Sequence, residues 1–137
     1  MRSVLDKVRT MKYNPKKTEK RGMIMPFIDC RTSVRLSDET RENIKTKFGQ
    51  AITTLKKPES YLMVGIADEY ALWFAGKRAE KGAYVSVSLF GNASPADCEK
   101  MTAKICNILQ EEAGLDPAQI YVTYHPVENW GWNGSNF

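Results

Sequence analysis

The side chains that could carry chemistry in this sequence are few, and most of the usual constellations are missing. The chain has one histidine, His125, and no GxSxG, P-loop or GxGxxG pattern. His125 stands before Pro126 at the end of an apolar run and reads as a surface or interface histidine rather than a catalyst. Cys30, Cys98 and Cys106 cannot form a fully paired framework, and no CxxC or Cys/His cluster has metal spacing. A reactive thiol needs a basic or helix-N-terminal setting, which only Cys98 approaches, so the cysteines read as core filling. Lys56 and Lys57 close a helical pattern, where positive charge suits the helix C-terminus. What stands out is Met25-Pro26-Phe27 at the head of an apolar run, together with the aromatic tail NWGWNGSNF at the other end.

The elements that must position these residues follow a repeated order. Phe27 to Thr32 reads as a short strand. Ser37 or Asp38 can cap a helix whose apolar residues Ile44, Phe48, Ala51, Ile52 and Leu55 share one face, and Lys57-Pro58 ends it. Tyr61 to Ile66 is an almost unbroken apolar run, as expected of a strand in a covered sheet. Tyr70 to Phe74 suggests a short extra strand and Ala75 to Gly82 a charged loop. Ala83 to Phe90 then alternates as a strand, and Gly91-Asn92 turns the chain. Ser94-Pro95-Ala96-Asp97 supplies a cap, a proline at the first helical position and an acidic third residue. That helix presents Cys98, Met101, Ile105, Ile108, Leu109 and Ala113 on one face, and Gly114 stops it. Ile120 to Tyr124 reads as the last main strand. Two strand-helix-strand units with single-faced helices predict an α/β (α+β) sandwich: two pseudo-symmetric β-α-β units, with both helices on one face of a mainly four-stranded sheet.

Composition bounds the rest. With 137 residues, 42% hydrophobic and 26% charged, one ordinary soluble-type domain is expected. The net charge of +4 is not spread evenly. Residues 1–24 carry eight basic side chains against Asp6 and Glu19, a net of +6, which leaves residues 25–137 at −2. Residues 1–24 therefore read as a basic, mobile appendage to a domain spanning 25–137. Nucleic-acid, membrane or organelle-targeting affinity would reside in that appendage, and no nucleic acid is expected for the domain. No segment has the length and apolarity of a membrane span or a signal-peptide core. A reducing site of synthesis is expected, hence a cytoplasmic protein, or one secreted without a signal peptide.

Three motifs carry a resemblance: Met25-Pro26-Phe27-Ile28, Lys57-Pro58-Glu59-Ser60-Tyr61, and Trp130-Gly131-Trp132-Asn133-Gly134-Ser135-Asn136-Phe137. In order and spacing they resemble the macrophage migration inhibitory factor and D-dopachrome tautomerase family, over residues 25 to 137. The resemblance implies a homotrimer with active sites at subunit interfaces, no cofactor and no metal, and a cytokine-like receptor partner as a further role. It implies keto-enol tautomerisation of α-keto acids such as phenylpyruvate, and of dopachrome, with Pro26 as catalytic base. A free N-terminal proline is a stiff secondary amine, and its neutral form can take a proton from carbon beside a carbonyl. An apolar pocket and a nearby cation depress its pKa, so the neutral form exists near neutral pH.

Lys57, at the family's cationic position, would supply that cation and hold a substrate carboxylate. Phe90 stands where the family has an aliphatic residue whose backbone contacts substrate, and Phe27 would shape the pocket. Tyr121 matches a pocket tyrosine from the adjacent subunit, and Thr123 replaces the family's asparagine there. Trp130, Trp132 and Phe137 suit an aromatic wall, or equally interface or core packing. The CxxC of the mammalian cytokine is absent, with Gly82 and Val85 in its place, so thiol oxidoreductase activity is not expected. Met23 and Met25 are candidate alternative starts. With Met25 attached, the Pro26 nitrogen is an amide and not a base. A non-catalytic cytokine-like or chaperone-like binding protein is the rival reading for that state.

Overall fold

A computed structural model describes residues 25–137 of the chain. The basic segment 1–24, with its expected mobility and targeting roles, lies outside the described residues. Strand β1, Pro26–Thr32, turns Pro26, Ile28, Cys30 and Thr32 inward in strict alternation. Helix α1, Asp38–Ala51, starts where the Ser37 hydroxyl accepts the Thr40 N–H at 3.1 Å. Strand β2, Met63–Ala67, returns parallel to β1. After a hairpin of β3, Trp73–Phe74, and β4, Lys77–Arg78, strand β5, Ala83–Phe90, runs antiparallel to β1. Helix α2, Pro95–Ala113, is capped by Ser94, which accepts the Asp97 N–H at 3.1 Å. Strand β6, Ile120–Val127, lies parallel to β5. A terminal hairpin of β7, Gly131–Trp132, and β8, Ser135–Asn136, closes the chain.

The main sheet has the order β2-β1-β5-β6, so each unit contributes a parallel pair and the two pairs meet antiparallel at β1 and β5. Helices α1 and α2 pack on each other and on one face of this sheet. Their apolar faces meet the inward residues of the strands: Ile44 and Phe48 from α1, Met101, Ile105 and Leu109 from α2, against Ile28, Val85, Val87 and Leu89. Each such side chain contributes roughly 1.5–3 kcal/mol by leaving water. Tyr124 fastens β6 to α2: its hydroxyl donates to the Cys98 carbonyl at 2.9 Å and lies 2.8 Å from the Thr102 hydroxyl.

Three expected elements differ. The run Tyr61 to Ile66 is not a covered strand: Glu59–Tyr61 forms a 3₁₀ turn, and β2 is an edge strand with Met63 67% exposed. It pairs with β1 alone, and its run is covered on one face only, where Val64 and Ile66 pack against the core. Within the expected charged loop, Lys77–Arg78 pairs with Trp73–Phe74 across Ala75 and Gly76, both at positive φ, the signature of a two-residue hairpin turn. The last main strand runs on to Val127 because β5 offers ladder partners that far.

Candidate active site

At the head of β1 the sheet opens into a cleft of about 650 Å³. Its floor is Pro26, itself buried, with Phe27 beside it and Ser88 directly across the β1–β5 ladder. The Phe27 ring lies over Gly65 of β2, where an added Cβ would stand 3.5 Å from it. One side of the cleft comes from the segment Ser60 to Met63 and the other from Val127 and Trp130 to Trp132. The lining is thus mostly apolar and aromatic, as in sites that bind a ring and orient it with few polar groups.

The terminal hairpin sets that wall. Asn133 and Gly134, both at positive φ, make its two-residue turn, and the Phe137 N–H donates to the Trp130 carbonyl at 3.1 Å. Trp132 then stands edge-on to Tyr61 at 6.0 Å and parallel to Phe137 at 6.0 Å, and Phe137 tilts against Phe90 at 5.7 Å. Four rings therefore connect β5 to the turn before β2. Phe90 and Phe137 reach the cleft through Trp132 and do not line it.

Lys57 is 1% exposed, and its ammonium donates to the Asn92 carbonyl at 3.3 Å. Burial lowers its pKa from the ordinary lysine value. Its neighbour Lys56 takes the left-handed conformation, φ 62°, and points its ammonium to solvent, 3.7 Å from Asp97. Lys57 comes to the end of β5, two residues past Phe90, the same end of the sheet as Pro26. It is not one of the residues lining the cleft.

Tyr121 and Thr123 lie elsewhere in the chain. Pro26 is level with Leu89 and Pro126, so Tyr121 sits five residues down β6 and two strands across, roughly 20 Å from Pro26 at ordinary strand spacings. Tyr121 is 63% exposed and tilts against Phe74 of the β3–β4 hairpin at 5.4 Å. The Thr123 hydroxyl is shared between Tyr84 and His125 Nε2, each 2.8 Å away. Within one chain the structure therefore gathers Pro26, Phe27, Trp130 and Trp132, leaves Tyr121 and Thr123 further down the edge strand β6, and sets His125 opposite Ser88 on the β5–β6 ladder.

The thiols fit their reading as filling. Burial pushes the Cys30 thiol up to about 12, and Cys98 and Cys106 are also raised, Cys98 despite standing in the first turn of α2. Gly82 is a packing position: a Cβ there would stand 3.0 Å from the Gln119 carbonyl oxygen. Among the described residues no group of three or more potential ligands could hold a metal, and no helix is long and apolar enough to cross a membrane.

Sequence reading missed Met25, the segment Ser60 to Met63, Ser88, Val127 and Gly131 as cleft residues. Ser88 could have been found by pairing the alternating runs in register opposite Phe27. Met25 carried no signal, because nothing local says that the residue before the strand is buried.

Known proteins resemble this chain over the same span. The family model described as macrophage migration inhibitory factor matches residues 25–137. The solved structure of Leishmania major MIF2 superposes with a TM-score of 0.77 at 35% identity, covering 82% of this chain and 97% of that one. The macrophage migration inhibitory factor homologue from Prochlorococcus marinus gives 0.73 at 25% identity, covering 81% and 98%. The macrophage migration inhibitory factor homolog of Trichinella spiralis is 24% identical over 115 residues, 82% of this chain and all of that protein.

Proposed function

The chain belongs to the macrophage migration inhibitory factor family, and from that premise we propose that it is a keto-enol tautomerase of phenylpyruvate-like α-keto acids, with Pro26 as general base once it is the N-terminus. Membership supports a tautomerase-like or cytokine-like role in general. The single observation carrying the finer reading is Pro26 itself, buried at the floor of an apolar cleft walled by Trp130 and Trp132. An amine there is poorly solvated when charged, which favours the neutral, basic form. Lys57, buried at the same end of the sheet, supplies the cation for the substrate carboxylate and the developing enolate. The proton leaves the carbon next to the ketone, resides on the proline nitrogen, and returns to oxygen or carbon, so no external acid or oxidant is consumed.

In this reading the active unit is a homotrimer. Tyr121 and Thr123, exposed or half-buried on the edge strand β6 far from their own chain's cleft, complete the cleft of a neighbouring copy. The domain is residues 25–137, with 1–24 a separate appendage. Phenylpyruvate enolisation by protein beginning at Pro26 is the test. Pro26→Gly is expected to lower turnover by about 10²–10⁴, the usual worth of a positioned base. Absence of activity in the first protein, or full activity in the second, would sink the proposal.

A further inference from the structure

Met25 has no part in the reaction, yet it is built into the site. It is 4% exposed and forms part of the cleft wall. Its carbonyl accepts the Phe90 N–H at 3.1 Å, one step beyond the last β1–β5 pair, Pro26 with Leu89. A donor at the end of a ladder must find a partner, in water, protein or ligand. In the uncut chain Met25 is that partner, and its side chain is part of the apolar wall that narrows the cleft beside Pro26.

We propose that Met25 is an internal inhibitor: its carbonyl oxygen holds the place that an oxygen of an aromatic acid takes after Met25 is removed, and its side chain narrows the cleft that the apolar body of that acid enters. This rests on the reading of the cleft as a keto-acid site. Hydrolysis of the Met25–Pro26 bond by a peptidase adds one water, its hydroxyl to the Met25 carbonyl carbon and its hydrogen to the Pro26 nitrogen. One cleavage thereby creates the amine, releases the Phe90 N–H and widens the cleft. Retaining Met25 consequently blocks binding as well as proton transfer, which loss of the base alone would not do.

The two effects separate in a binding experiment with 3-phenylpropionate, an aromatic acid with no ketone to enolise. The buried cluster between the sheet and the helices runs from Ile28 to Ile120, so protein beginning at Pro26 carries the whole of that cluster. Calorimetric titration is expected to show binding by that protein, at least tenfold weaker binding by the 1–137 chain, and a partial gain when the 1–137 chain carries Met25→Gly. Amide exchange at Phe90 is expected to be slow in 1–137, at least tenfold faster in protein beginning at Pro26, and slow again at saturating 3-phenylpropionate. Equal affinity or equal Phe90 protection in the two chain lengths, no gain from Met25→Gly, or no binding by any form overturns the proposal. Binding and Phe90 release without phenylpyruvate enolisation would instead remove the tautomerase reading and leave the inhibitory role of Met25 in place.

Discussion

After α1 a 3₁₀ turn, Ile52–Leu55, leads the chain through a left-handed residue, Lys56, and buries the next one, Lys57; where α2 ends, the chain passes through left-handed Gly114 and buries Leu115. In each unit a 3₁₀ turn starts three residues after the left-handed position, Glu59–Tyr61 in the first and Pro117–Gln119 in the second, and leads into the parallel strand. The backbones thus repeat a plan that the residues hide. The second unit fills its slot as packing demands, with Leu115 2% exposed and its N–H on the Leu109 carbonyl. The first puts an ammonium in the matching slot and a lysine where glycine is free of strain. A local choice that works against stability, in one of two matched places, is what the role proposed for Lys57 would account for.

The sharpest way to break this contrast is Leu115→Lys, which asks the second unit to bury a charge with no partner. A loss of about 3–5 kcal/mol is expected in denaturant unfolding. A tolerated Leu115→Lys would mean that the slot accepts any residue and that Lys57 signifies nothing. The converse change, Lys57→Leu in protein beginning at Pro26, is expected to lower kcat/KM for phenylpyruvate about a hundredfold, some 2.7 kcal/mol, as loss of an oxyanion-stabilising group does. The same change should raise stability by about 1 kcal/mol, since it removes a buried charge. Unchanged turnover would reduce Lys57 to packing.

The pH dependence follows from the direction of the Lys57 shift. Its folded pKa is lowered by burial, so the unfolded state binds more protons between the folded and unfolded values. The penalty is full below the folded pKa and is relieved as pH rises toward about 10.4, the ordinary lysine value. The stability advantage of Lys57→Leu over the native protein should therefore shrink as pH climbs through that window, in thermal unfolding series of both proteins. The smallest effect is expected from Lys56→Gly, a gain of about 0.5–1 kcal/mol from relieving φ 62° in an exposed residue whose ion pair with Asp97 contributes little. A loss on that change would show the left-handed exit to be held by the lysine side chain itself.

Much of the scaffold was legible because its signals are local. Ser37 and Ser94 start their helices through hydrogen bonds spanning three residues, and Gly114 stops α2 through its own φ. The alternation in Ala83–Phe90 names the inward face before any partner is known. The run Tyr61 to Ile66 starts in a 3₁₀ turn and ends in an edge strand covered on one face, because apolarity does not say whether a strand has one neighbour or two. The hairpin turn at Ala75-Gly76 was missed because alanine rarely takes positive φ.

By itself the sequence determined the order of the elements, the faces of the helices, the family and the candidate base, all written in short spacings and motifs. Tertiary structure decided the rest: that Lys57 is buried and Lys56 is not, that Tyr121 and Thr123 lie on the edge strand away from their own cleft, and that Met25 is buried in the cleft wall. These are matters of which distant segments come together, and burial and hydrogen-bond partnership exist only once the chain has closed on itself.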